Sequence, residues 1–145
     1  MDLFTFSEPI GSFATVGFTN MPQVIVSSSA SPTLYMLLYD SNSLPYQPGL
    51  EQTIPGITAV NATAACLSNA NNANYFFIAD NIMQIIYYAN FQSQVLGANF
   101  LPLFLPFSAT QMACDGNYLY LVDGQGTLYY SSRKFFFLNN YSKIN

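Results

Sequence analysis

The first 132 residues contain no lysine or arginine; the only basic side chains are Arg133, Lys134 and Lys143. Nucleic-acid binding draws its affinity from phosphates neutralised by basic groups, so a chain with no basic patch is not expected to bind nucleic acid. Histidine and tryptophan are absent altogether. Without His, and with its few carboxylates scattered, the chain shows no metal-ligand set of recognisable spacing. The same absence denies Cys66 and Cys114 the base that a thiol nucleophile needs. Gly-x-Ser-x-Gly, a phosphate-cradling loop ending in Lys and the Asp-Thr-Gly of retropepsins are also missing. No catalytic, cofactor-binding or metal-binding residue is therefore expected, and the chain reads as a non-enzyme.

Charge of either sign is scarce. Charged residues make up 7% of the 145, with a formal net charge of -4, so neither electrostatic steering nor ion-pair networks are main devices here. Long apolar runs are lacking as well: 100–107 is broken by Pro102 and Pro106, and 75–91 by Asp80, Asn81 and Gln84. Neither reaches the roughly 20 residues of a membrane-spanning helix. The opening Met1-Asp2-Leu3-Phe4 carries an acid where a secretory signal carries bases, so no export signal is expected.

What is present is hydrophobic and neutral-polar. Hydrophobic residues account for 51% and aromatics for 17%, while Ser, Thr, Asn and Gln supply about 31%. Such a chain is too apolar for charge-driven disorder and long enough for a core of its own, so one domain over 1–145 is expected. Two cysteines allow one disulfide at most. Buried free thiols are the favoured reading, with a bridge between neighbouring structural units as the rival.

Repetition is the strongest pattern. Tyr35-Met36-Leu37-Leu38-Tyr39-Asp40, Tyr75-Phe76-Phe77-Ile78-Ala79-Asp80 and Tyr118-Leu119-Tyr120-Leu121-Val122-Asp123 each join a Tyr, four residues rich in Leu, Phe and Val, and an Asp. Each is followed by a polar or Gly-containing turn and then by an aromatic: Tyr46, Tyr87-Tyr88 and Tyr129-Tyr130. Gly49 before Ile54-Pro55 and Gly97 before Leu101-Pro102 look like matching unit ends. Six such residues without alternation describe a strand covered on both faces, so the middle strand of each unit is expected to be interior. Asp123-Gly124-Gln125-Gly126-Thr127 reads as a hairpin turn, because Asp and Gly tolerate the positive φ such turns need. Residues 81–91, apolar nearly throughout and lacking helix caps, read as strand.

The expected fold is all-β, with three antiparallel meander units at about 20–55, 56–105 and 106–140. A unit built as small-residue strand, turn, apolar strand ending in Asp, turn and Tyr-rich strand resembles a β-propeller blade. The fullest match is Met112-Ala113-Cys114-Asp115-Gly116-Asn117-Tyr118 through Asp123 with Gly126-Thr127-Leu128-Tyr129-Tyr130. That resemblance implies four to eight blades, so three units would need a second copy or another protein to close. A β-trefoil and a β-sandwich stay open as alternatives.

Asp40, Asp80 and Asp123 recur in register and have two readings, equivalent ligand positions or caps on the turns that follow; the second is favoured. Tyr129, Tyr130, Phe135, Phe136 and Phe137 are the candidate interface residues, since Tyr pairs a flat apolar face with a polar tip. The tail from Arg133 onward is either a docking arm for a neighbouring subunit or a simple chain end. Asn61 and Asn140 fit the glycosylation acceptor pattern, which matters only outside the cytosol.

A charge-poor, Asn-, Ser- and Tyr-rich surface without an export signal suits a virion protein, made in the host cytoplasm and released in particles. In this respect the composition resembles that of structural proteins of archaeal viruses. The expected function is non-enzymatic: a structural protein of a virus particle or tail, partnered by itself and other virion proteins. A carbohydrate-binding or adhesion module recognising host-surface glycans is the alternative.

Overall fold

The computed structural model of the chain describes residues 6, 8–16, 23–40, 43–67, 74–80, 82–91, 97–115, 117–132 and 142–144. Every regular element among them is a strand. The first sheet holds β1 (Ile10–Val16), β2 (Gln23–Ser28), β3 (Thr33–Asp40) and β4 (Ser43–Thr53). The second holds β5 (Val60–Leu67), β6 (Asn74–Asp80), β7 (Ile85–Phe91) and β8 (Leu101–Phe104). The third holds β9 (Ala109–Cys114), β10 (Tyr118–Asp123), β11 (Leu128–Ser132) and β12 (Ser142–Lys143). Each sheet is an antiparallel meander with its strands in chain order. The chain is thus all-β and built of repeated meander units. Three separate sheets, none closed into a barrel, leave no room for the trefoil or for a two-sheet sandwich.

The structural repeat has a different phase from the repeat legible in the residues. The Tyr-to-Asp hexapeptides fall in β6 and β10, the second strands of their sheets, but in β3, the third strand of the first sheet. The second strand there is β2, whose sequence Gln-Val-Ile-Val-Ser-Ser carries neither Tyr nor Asp. From the first sheet to the second, matching points recur about fifty residues apart in place of the 40-residue step of the hexapeptides, whereas the 43-residue step from Asp80 to Asp123 is kept between the second and third sheets. The connector after the first sheet places a buried Ile54 whose N–H donates to Pro32 O at 2.9 Å. The connector after the second places a buried Leu105 whose N–H donates to Gln84 O at 2.8 Å. Ile54-Pro55 therefore corresponds to Leu105-Pro106, and Leu101-Pro102 lies one strand earlier, within β8. The sheets also outrun the expected unit bounds, since β1 precedes residue 20 and β12 follows residue 140.

Neighbouring sheets meet along their first strands, β1 beside β5 and β5 beside β9, and this close backbone approach fades toward their third and fourth strands. The sheets consequently fan out from an inner line of first strands. Two hydrophobic cores fill the wedges. One joins Ile25, Leu34 and Met36 of the first sheet to Phe76, Ile78 and Phe91 of the second, closed by Ile54, Ile57 and Val60. The other joins Ala64, Phe77, Ala79 and Ile86 of the second sheet to Leu119 and Leu121 of the third, closed by Leu103, Leu105 and Ala109. The expectation of an interior middle strand holds for β6, where residues 76–80 are all buried. It fails for β10, which alternates because only Leu119 and Leu121 face a core; Tyr118 is exposed and Tyr120 and Val122 are half-buried.

Two devices hold the inner line. Between β1 and β5, the Ser12 and Thr63 hydroxyls lie 2.9 Å apart, and the Thr63 N–H donates to Ser12 Oγ at 3.1 Å. The strands come so close there that a Cβ on Gly11 would sit 2.5 Å from Val60 O. Between β5 and β9 the link is covalent. Cys114 is disulfide-bonded, and Cys66 on β5 is the only other cysteine in the sequence. The favoured reading of two free thiols is corrected: the first strands of adjacent sheets pass near enough for the bridge between units to form.

Candidate functional site

The acidic residues come first, because their recurrence invited a ligand-binding reading. Asp80 is fully buried, and its Oδ1 accepts the N–H groups of Ile82 and Met83 at 2.8 and 2.7 Å while Oδ2 accepts that of Thr58 at 2.8 Å. Asp123 Oδ1 accepts from Gln125 and Thr127 at 2.9 and 2.8 Å. The hairpin expected at 123–127 is present, with Gly126 at φ 80°. Asp115 Oδ1 does the same for Asn117 and Tyr118, one turn earlier. In the first sheet the equivalent position is Ser28, whose Oγ accepts from Ala30 and Ser31 at 3.0 and 3.1 Å. Capping the turn after the second strand is thus a function of Ser28, Asp80 and Asp123, and side-chain oxygens suited to such turns supply it. Asp40 closes β3 instead, and its side chain lies outside the described residues. Among the described residues no three His, Cys, Asp or Glu side chains converge on a point.

Tyr129 and Tyr130, adjacent in β11, point to opposite faces of the third sheet. Tyr129 turns inward: its ring stacks on Phe107 at 4.0 Å and its hydroxyl donates to Asp123 Oδ2 at 3.1 Å. Burial, followed by that bond, holds the Tyr129 phenol above its ordinary value. Tyr130 faces outward, in edge contact with Tyr118 at 5.8 Å. Phe135, Phe136 and Phe137, with Arg133, Lys134 and Asn140, lie outside the described residues. The end of the tail is not an arm reaching away, since β12 pairs Lys143 with Tyr129 and Ser142 with Tyr130 of the same chain.

Register assigns the outer face of the third sheet. Tyr120 sits opposite Ala113 and Tyr130, and Val122 opposite Gln111 and Leu128. Tyr118, Tyr120, Val122, Leu128 and Tyr130 therefore share a surface that no other sheet of the chain covers. The Tyr120 hydroxyl donates to Asp115 Oδ2 at 3.1 Å, a bond that raises the phenol's pKa. A depression of about 130 Å³ is lined by Gln111, Ala113, Tyr120, Val122 and Leu128. Small-molecule pockets usually enclose some 300–1,000 Å³, so this one is shaped for a protruding side chain more than for a substrate.

The first sheet has a matching outward face. Cross-strand partners place Phe13 beside Val26 and Tyr35, and Thr15 beside Val24 and Leu37. Phe6 lies edge-on to Tyr35 at 5.6 Å and covers part of this face, while Phe13 stays 67% exposed. At its margin Glu8 accepts the Ser31 hydroxyl at 2.6 Å, and that bond, with a second from Ser28, holds its carboxyl below the ordinary range.

Strand edges offer less. The outer edges are β4 and β8, which contain Pro45, Pro48 and Pro102, and the two-residue β12. Proline lacks the N–H that a further strand would need, so these edges resist extension. Sequence reading named Tyr129, Tyr130 and the tail residues Phe135, Phe136 and Phe137 as the contact residues and overlooked Phe13, Tyr118 and Tyr120. The available signal was the alternation Tyr-Leu-Tyr-Leu-Val in β10, which puts two tyrosines on one face. Among the described residues no helix is long and apolar enough to cross a membrane. The sequence matches no protein-family model and no curated protein.

Proposed function

We propose that this chain is a non-enzymatic structural protein that acts by assembly, through the charge-poor faces its two outermost sheets turn outward. The single observation behind this reading is topological. The second sheet packs against another sheet on both faces, whereas the first and third pack against a sheet on one face each and present Phe13 on one side and Tyr118, Tyr120 and Tyr130 on the other. Exposed aromatic patches of this kind are typical of protein contact sites. Read this way, the three meanders are blades of a propeller.

The setting we propose is a virus particle or tail, with other particle proteins as further partners and the host cytoplasm as the place of synthesis. The amide- and hydroxyl-rich composition supports this, as does the Cys114 disulfide, which persists best outside a reducing cytosol. The test is quantitative mass spectrometry of purified particles from producing cells: a stoichiometric share of this chain supports the reading, and its exclusion from particles overturns it. Tyr118 and Tyr120, side by side at 6.2 Å, keep one second reading in play, because exposed tyrosine rings also stack on sugars. Saturable binding on a glycan array, lost in Tyr118→Ala, would favour that adhesion module.

A further inference from the structure

The outward faces of the first and third sheets differ from an ordinary pair of exposed patches in one respect: the chain already shows how each kind of face is covered. Call the face that a sheet turns toward the preceding sheet its near face, and the other its far face. The far face of the first sheet packs on the near face of the second, and the far face of the second on the near face of the third. No sheet packs on the near face of the first sheet, where Phe13 stays exposed although Val26 and Leu37 are buried and Phe6 lies on Tyr35, nor on the far face of the third. The unsatisfied surfaces are thus the two halves of a contact that the molecule makes twice internally.

We propose that a second copy of this chain fills both, the third sheet of each copy packing on the first sheet of the other to close a ring of six sheets about a two-fold axis. This rests on the assembly reading above and names its partner. Three features carry it. Because neighbouring sheets touch along their first strands and splay outward, each contact adds a turn about the inner line, and repeated turns close instead of extending. Rings of four-stranded blades close with four to eight members, and among whole copies of a three-sheet chain only two fall in that range. Phe13, Thr15 and Val24 on one side and Tyr118, Tyr120 and Val122 on the other are uncharged, with Glu8 at the margin of the first face, Glu51 in register with Tyr35, and Asp115 beside Tyr120. Burying those six side chains strands no ion, and the Glu8 and Asp115 carboxylates keep the Ser31 and Tyr120 hydroxyls as partners. The exposed Phe13 gives one face a protruding side chain, and the depression beside Tyr120 gives the other a concave feature.

The experiment is light scattering on the oxidised full chain and on two variants, Phe13→Asp and Tyr118→Lys, both at exposed positions outside the two cores. The wild type is expected at about twice the 16.1 kDa of one chain. Each variant alone is expected as a monomer with unchanged infrared strand bands, its dimer constant weakened at least about tenfold. An equimolar mixture of the two is expected to recover dimer, because one of its two contacts then joins native faces only. A wild-type dimer insensitive to either substitution, or a mixture that recovers nothing, overturns the ring. A larger or differently counted assembly, or a free monomer that still enters particles, overturns the ring and leaves the assembly reading standing. A monomer that enters no particle removes both.

Discussion

Phe76 and Phe77 are consecutive in β6, both are buried, and they belong to different hydrophobic cores. The second sheet is therefore a common wall: strand alternation sends Phe76 toward the first sheet and Phe77 toward the third. Phe76→Ala and Phe77→Ala should each cost about 3–5 kcal/mol, the range for emptying a buried phenylalanine site. Denaturant melts check this. A much smaller loss at either position would mean that its wedge is loosely filled.

Gly11→Ala should be far more costly than a surface methyl ordinarily is. The added Cβ would meet backbone, Val60 O at 2.5 Å and Ser29 N at 3.0 Å, and neither can swing aside. Relief requires β1 to move off β5, which breaks the Ser12–Thr63 bond and opens the first core. The expected readout is a lower melting temperature with earlier hydrogen exchange in the first sheet than in the third. Equal loss of protection in both would refute a local effect.

Reducing the disulfide should destabilise the chain by up to about 4 kcal/mol, the loop-entropy value for a closure of roughly fifty residues. Cys114→Ser should reproduce the effect. The measurement is a melt with and without reductant, and a wild type indifferent to reductant would show that the β5–β9 contact is held by packing alone.

The two aspartate caps should differ sharply. Asp80 is buried and satisfies three backbone N–H groups, so Asp80→Ala leaves donors stranded at about 1–3 kcal/mol each. Asp123 caps an exposed turn, and Asp123→Asn should keep the fold. Urea midpoints of the two variants make the comparison.

Stability should form a plateau across neutral pH with a descending arm on each side. Glu8 and Asp123 are held below their ordinary values of 4.5 and 3.8, Glu8 chiefly by the Ser31 hydroxyl and Asp123 chiefly by the Thr127 N–H. For a lowered carboxyl the stabilising contribution is full above the ordinary value and is lost as pH falls through it toward the depressed one. The phenols of Tyr88, Tyr120 and Tyr129 are raised above 10.0, by burial for Tyr88 and Tyr129 and by the Asp115 bond for Tyr120. Their contribution is full below that value and is lost as pH climbs beyond it. Melting temperature against pH is the measurement, and Asp123→Asn should blunt the acid arm. An acid arm beginning above pH 4.5 would point to another carboxyl.

Local chemistry made the class of fold legible. Apolar hexapeptides, Asp-Gly turns and the absence of helix caps act within a few residues, and β6, β7, β10 and the hairpin at 123–127 formed where those signals stood. The turn-capping meaning of Asp80 and Asp123 was legible for the same reason. The phase of the repeat was not, because a serine at residue 28 does in the first sheet what aspartate does in the others, and a pattern of residue types does not register that equivalence. Nor did composition decide the state of Cys114, since a bridge depends on how closely β5 passes β9, two strands far apart in the chain. Which tyrosines face outward was likewise a tertiary outcome. Tyr129 and Tyr130 are identical in local sequence terms, and only the position of the second sheet makes one of them core and leaves the other on an open face.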